Sequence, residues 1–206
     1  MTSTPKDIGP PLILASGSAA RATTLRAAGV EFTALPADID ENAIKRRFRS
    51  AGRDALACAA ALAEAKAITV AHRQPEAIVI GADQILVADG EWFDKPRDLA
   101  EAAAQLRALS GRSHVLATAA CAVIGETCQW RAIAMPKMTM RRFGESFLAE
   151  YITAEGDALL GSVGAYRIEG RGAQLFSRIE GDHFAILGLP LLELLGFLRG
   201  RGLLRE

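Results

Sequence analysis

Histidine and cysteine are scarce in this chain, and neither is grouped. His72, His114 and His183 are scattered, so a zinc site is not expected. Cys58, Cys121 and Cys128 are odd in number and form no metal-ligand pair at close spacing. A reduced, cytoplasmic protein is the default for such cysteine usage. An excess of either charge is missing as well: 24 Lys and Arg balance 24 Asp and Glu. A nucleic-acid binder would normally be basic. No apolar run approaches the roughly 20 residues that a membrane helix needs. The leading MTSTPKDIGPP lacks the apolar segment of a signal peptide, and residues 1–10 read as a frayed lead-in. No repeat, low-complexity tract or Pro/Ser linker divides the 206 residues. That length suits one domain, 1–206, or one domain with two lobes around a cleft.

What is present is organised around Leu12 to Gly29, LILASGSAARATTLRAAG. Leu12 to Leu14 reads as a buried strand, Ala15 to Ser18 as a tight loop of small residues, and the rest as a helix stopped by Gly29. Leu25 and Ala28 should lie on its apolar side. The first amides of a helix lack partners, so a strand, such a loop and a helix N-terminus make a ready anion site. Ser16 and Ser18 add donors. Arg21 places a cation beside the positive end of the helix, where an anion between them would relieve the repulsion. The plainer reading is a serine N-cap with a solvated arginine.

Further along, Val30 to Leu35 alternates like a half-buried strand. Asp38, Asp40 and Glu41 follow, three carboxylates that repel unless solvated or neutralised by a divalent cation or a lysine. Asp54 to His72 is an alanine-rich helix with Leu56, Ala60, Ala63, Ala67 and Val70 expected on its core face. Lys66 borders that face, to snorkel outward or to point into a cleft. Ala77 to Ile80 and Ile85 to Ala88 read as strand runs on either side of Gly-Ala-Asp-Gln. Asp83 is the least expected residue, because a carboxylate among apolar strand residues is expensive to bury without partners. Asp89-Gly90 signals a hairpin, and Lys95 precedes a stiffening proline. Asp98 and Glu101 resemble a capping box opening a helix with Leu99, Ala102, Ala103, Leu106 and Leu109 buried. Ser113 to Ile124 reads as a core strand, Gln129 to Arg142 as containing one more exposed strand, and Phe143 to Glu155 as a helix. Glycines 161, 164, 170 and 172 suit a loop that approaches a ligand, with Tyr166 and Glu169 as its distinctive side chains. A short strand, Phe176 to Ile179, and a last helix, Leu191 to Arg199, close the chain. Strands and helices mixed without strict alternation give an α/β or α+β class with a mixed sheet.

Several dispersed segments resemble one family. LILASGSAAR is similar to the Maf signature L-A-S-x-S-P-R-R. VIGADQILVADGEWFDKPRD matches its G-A-D segment ending in K-P, and LSGRSHVLAT its L-S-G-x-x-H motif. VGAYRIEGRGAQLFSRIEGDHFAILGLPL resembles its A-G-A-Y-x-I-Q-G and G-D-Y-x-x-V-x-G-L-P signatures. The resemblance implies a nucleoside triphosphate pyrophosphatase that cuts between the α- and β-phosphates. It also implies an elongated mixed sheet with two lobes around a cleft, a divalent cation (Mg²⁺ or Mn²⁺), and usually a homodimer.

Matched motif by motif, the implied functional positions are Ser16, Arg21, Glu41, Lys66, Asp83 and Lys95, with Ser18 beside them at the phosphates. Glu41 and Asp83 would hold the metal, and Asp83 would also serve as general base. Two departures matter. Ala19-Ala20 stands where the family has Pro-Arg. At the base-reading positions, Ala20, Gln84 and Glu169 stand where the branch preferring 7-methylguanosine triphosphate tends to have Trp, Gln and Glu. The branch preferring dTTP and UTP usually has Arg, Thr and Gln there. The expectation is a preference for 7-methyl-GTP or another guanine-like triphosphate. The alternatives are a dTTP/UTP enzyme, a non-catalytic nucleotide-binding regulator of septum formation, and a nucleotidyltransferase.

Overall fold

The structure is a computed structural model that describes residues 9–205; most of the lead-in expected at the N-terminus, residues 1–8, lies outside them. Its centre is a pair of long antiparallel strands, β3 (Ile78–Ala88) and β5 (Ser113–Ile124), joined in register from Val79↔Val123 to Val87↔Val115. Shorter strands complete the sheet in two halves. One half adds β1 (Leu12–Leu14) and β2 (Thr33–Ala34) in parallel to the start of β3, and β6 (Thr127–Ala134) to the end of β5. The other adds β4 (Glu91–Phe93) to the end of β3, and β7 (Lys137–Met140) with β8 (Phe176–Glu180) to the start of β5. The result is an elongated mixed sheet of eight strands.

Helices cover both faces. On one lies α3 (Ala55–Ala71), with α2 (Glu41–Ser50) beside it. The other face has two apolar clusters. The first contains Leu14 and Leu25 of α1 (Ala19–Ala27) together with Leu194 and Leu198 of α7 (Leu191–Gly200). The second joins Leu106 of α4 (Leu99–Leu109) and Leu148 of α5 (Glu145–Glu155) to Leu86, Leu116 and Tyr166. The short helix α6 (His183–Ile186), capped by Asp182, leads into the first cluster. None of the helices among the described residues is long and apolar enough to cross a membrane.

Several local expectations are corrected. Gly81 to Gln84 does not break the strand: β3 is continuous, and Asp83 stands at its midpoint. The helix at Glu41 was not expected; Asp40 caps it by accepting from the Ala43 amide at 2.9 Å. The run from Val30 to Leu35 pairs only at Thr33 and Ala34. Gln129 to Arg142 holds parts of two strands, split at Pro136, which has no N–H for the ladder. There β5 exchanges one partner for the other, and Leu116 donates to the Pro136 carbonyl at 3.0 Å. Ala28 is exposed, so the buried side of α1 is Ala22 and Leu25.

The core face of α3 is also rotated. Cys58, Ala59, Leu62, Ala63, Ala67 and Val70 are buried, whereas Leu56 and Ala60 are half-buried. Gly81 accounts for the phase. A Cβ on that residue would sit 2.0 Å from the Ala63 carbonyl oxygen, so only glycine lets helix and strand approach this closely. The same contact brings Lys66, on the buried face, over Asp83.

Candidate active site

A cavity of about 680 Å³ opens where one edge of β3 is bare. β1 pairs with Ile78 to Ile80, and β4 with Leu86 to Ala88. Between them no strand covers Gly81 to Ile85 on that side. The loops that leave β1 and β4 flank the gap, one carrying Ser16 and Ser18, the other Lys95. Strand ends facing a gap in an open sheet are a usual place for ligands. Every site residue expected from the sequence lines this cavity, so residues from 16 to 169 in the chain share one wall.

At the β1 side the serines and arginine are built into the fold. Ser18 caps α1, its Oγ accepting from the Arg21 amide at 3.4 Å. Arg21 is buried: Nη1 donates to Ser16 Oγ at 3.0 Å and Nε to the Gly188 carbonyl at 2.8 Å. The solvated arginine of the plainer reading is therefore excluded. Gly188, at φ +95°, admits this contact, because a Cβ there would meet Arg21 Nε at 3.0 Å. Burial draws the guanidinium below its ordinary pKa, opposed by the Asp83 and Glu41 carboxylates. The amides of Ala19 and Ala20, in the first turn, donate to no partner among the described residues.

Lys66 forms the charged centre. Its Nζ lies 2.6 Å from Asp83 Oδ1 and 2.8 Å from Glu41 Oε1, so one ammonium bridges two carboxylates. Lys66 and Asp83 are buried, and Asp83 Oδ2 has no hydrogen-bond partner. Burial alone would raise the Glu41 carboxyl; Lys66, with Lys45 and Lys95, outweighs it and holds the group below the usual range. Lys95 stands at the mouth without a carboxylate at ion-pairing distance among the described residues. Protein packed around it, and then the Arg21 charge, keep its ammonium below the ordinary lysine value.

The residues expected to read the base are held differently. Asp83 and Gln84 are consecutive strand residues and so project to opposite faces. Gln84 Nε2 donates to Thr118 Oγ1 and to the Ala185 carbonyl, both at 2.8 Å, which leaves Oε1 as the group it offers a ligand. Glu169 shares its carboxylate with Arg167 Nε at 3.3 Å, so its charge is partly answered within the chain. Ala20 is half-buried. Tyr166 is mostly core: it is 5% exposed, with its hydroxyl 2.8 Å from His114 Nε2. Burial lowers the His114 pKa to about 4, so this ring is neutral at pH 7.

Two charged residues at this site were not singled out from the sequence. Lys45 lines the cavity one helical turn beyond Glu41, and Asp94, beside Lys95, accepts from it at 2.7 Å. The spacing Glu41, Lys45, Arg49 was the available signal, since i and i+4 share a helix face. The charge of the segment masks that signal, because only Phe48 of α2 is fully buried.

The carboxylates fit a divalent ion. Mg²⁺ is commonly held by one or two carboxylates together with phosphate oxygens, and Asp83 Oδ2 is an acceptor in need of a partner. No group of three or more His, Cys, Asp and Glu side chains converges among the described residues. An ion on Glu41 and Asp83 would therefore complete its shell from phosphate and water.

Comparison with known proteins agrees along almost the whole chain. The profile of the family described as Maf-like protein matches residues 11–201. A protein of Granulibacter bethesdensis named nucleoside triphosphate pyrophosphatase is 50% identical over 188 residues, covering 91% of this chain and 95% of its own. One of Paramagnetospirillum magneticum with the same name is 49% identical, covering 92% and 98%. A 7-methyl-GTP pyrophosphatase of Rhizobium etli is 46% identical over 193 residues, covering 94% and 97%.

Proposed function

The chain belongs to the Maf family, and from that premise we propose that it hydrolyses a nucleoside triphosphate, preferably 7-methyl-GTP or another guanine-like base. It is an enzyme of the nucleoside triphosphate pyrophosphatase class. Water attacks the α-phosphorus, the bond to the α–β bridging oxygen breaks, and nucleoside monophosphate, pyrophosphate and a proton result. The observation that carries the reading is Asp83: a buried carboxylate in the cavity wall, with one oxygen locked to Lys66 and the other unpartnered.

Each residue then has a task. The Asp83 carboxylate accepts the proton of the attacking water, a role usually worth 10²–10⁴ in rate. Lys66 holds Asp83 and Glu41 in place as carboxylates. Arg21, Lys95, Ser16, Ser18 and the open amides of α1 bind the phosphates, whose charge grows toward the transition state. Glu41 and Asp83 would hold Mg²⁺ or Mn²⁺, which when bound neutralises phosphate charge and makes a bound water more acidic. At the base end, Gln84 Oε1 and the Glu169 carboxylate are both acceptors, suited to the N1–H and N2–H₂ edge of guanine. Ala20 offers no ring to stack on a cationic base, so selectivity should be loose.

A homodimer is part of the reading, supported by the family and checked by light scattering. A cytoplasmic location is supported by three free cysteines. The principal test is a nucleotide panel, with phosphate detected after added inorganic pyrophosphatase. Release from 7-methyl-GTP in preference to UTP and dTTP is expected. A kcat/KM for UTP or dTTP at least tenfold higher, about 1.4 kcal/mol, would refute the base assignment alone. No release from any triphosphate would refute the enzyme.

A further inference from the structure

Four cations line the cavity, and their existing commitments differ. Lys66 is bracketed by two carboxylates. Arg21 is tied to Ser16 and the Gly188 carbonyl. Lys95 is unpaired among the described residues. Lys45 is the fourth, and its side chain, 13% exposed, is engaged with Asp94 at 2.7 Å. Asp94 has a second cation: Arg49 Nη2 lies 3.1 Å from its other oxygen. Arg49 also donates to the Trp92 carbonyl and stacks on the Trp92 ring, so it is anchored independently of Lys45. The Lys45–Asp94–Arg49 group therefore carries one positive charge more than its carboxylate needs. Burial would raise the Asp94 carboxyl, but both cations together hold it below its usual value.

We infer that Lys45 is a further phosphate-binding residue, leaving Asp94 to Arg49 and turning its ammonium to the β- and γ-phosphates of the bound triphosphate. The exchange keeps every charge paired: Asp94 retains Arg49, and Lys45 takes a phosphate oxygen in place of a carboxylate oxygen. Lys45 stands one turn from Glu41 on the same face of α2, beside the loop that bears Lys95. Lys45 and Lys95 line the same cavity, and together they would flank the leaving pyrophosphate, with Gln84 and Glu169 left to the base. Its task is to hold the half of the substrate that departs. This inference rests on the pyrophosphatase reading.

The rival role is a static latch, in which Lys45 only pins Asp94 and the loop that holds Lys95. Substitutions at the two residues separate the roles. Calorimetric titration with inorganic pyrophosphate in Mg²⁺ buffer is compared for wild type, Lys45→Met, Lys45→Arg and Asp94→Asn, each checked by thermal unfolding. Lys45→Met should weaken pyrophosphate binding about tenfold and leave nucleoside monophosphate binding unchanged, and Lys45→Arg should recover most of it. Asp94→Asn, which frees Lys45, should bind pyrophosphate as well as wild type or better. Wild-type affinity in Lys45→Met overturns the inference, as does an equal loss in Lys45→Met and Asp94→Asn. Because these are binding measurements, they can fail while the wild type still hydrolyses triphosphates; hydrolysis failing on the whole panel is the separate failure of the enzyme reading.

Discussion

The two ends of the cavity recognise by different means. The end that holds Arg21, Lys66 and Asp83 is made from side chains on a strand and two helices, buried and bonded before any ligand arrives. The other part is made from the turns between Gly161 and Glu169, from Ile186 to Gly188, and from Gln84 and Glu169, whose side chains bond within the chain through atoms a ligand could also use. Triphosphate charge is common to all the candidate substrates, so its site gains from rigidity. The base is what differs among them, and one or two exchangeable acceptors suffice to read it. On the proposed reading, reaction type and substrate preference are carried by separate parts of the fold.

The comparison is broken most completely by Asp83→Asn. On the proposed mechanism the change removes the proton acceptor, and it leaves the buried Lys66 with Glu41 alone. Turnover should fall by roughly 10²–10⁴ for every nucleotide on the panel alike. The melting temperature should fall too, because removing one partner of a buried pair commonly costs about 3–5 kcal/mol. Steady-state rates and thermal unfolding check both; a folded variant with normal turnover would take Asp83 out of the chemistry.

Acid separates the ends next. Glu41 is held below the usual carboxylate range and remains ionised as pH falls from 7 to 5. His114, beneath Tyr166, has its pKa lowered to about 4. Its folded state resists a proton that the unfolded chain binds below about 6.5. The stability it contributes is thus fully present above pH 6.5 and lost as pH falls toward 4, up to about 3 kcal/mol. Thermal unfolding across that window should show a shallower slope for His114→Gln than for wild type. Parallel slopes would show that other groups govern acid stability.

The smallest effect sharpens the contrast. Glu169→Gln should change the ratio of kcat/KM for 7-methyl-GTP over UTP by about tenfold or less while leaving kcat near wild type. A large uniform fall in kcat would mean that the two ends are not separable.

Much of the charged end could be read from residue types alone. A strand, small residues and a helix start near Leu12 suggest an anion site, and an aspartate within an apolar run needs a reason to be there. Its reason could not be read, because Lys66 and Asp83 are distant in sequence and meet only through the glycine contact at Gly81. For the same reason β3 was divided in two: apolar periodicity treats a carboxylate as a break, whereas the fold neutralises it. The α2 segment ENAIKRRFRS hid its helix behind charge. Only Phe48 is fully buried there, and the ion pairs that hold its polar face join it to residues some 20 to 50 positions away. At the base end, glycine spacing indicated a ligand-side loop but not that Tyr166 would turn inward to His114.

The unbroken course of β3 and β5 has a mechanical consequence. Both strands pass the cavity without interruption, in continuous register from one half of the sheet to the other. A swing of the two halves about the site would have to tear that ladder, so no hinge is placed there. Any closure around a nucleotide would fall instead to short pieces attached to the beam: α2, the loop bearing Lys95, and the turns around Glu169. In such a closure the mouth would move at its lips while the jaw stays fixed.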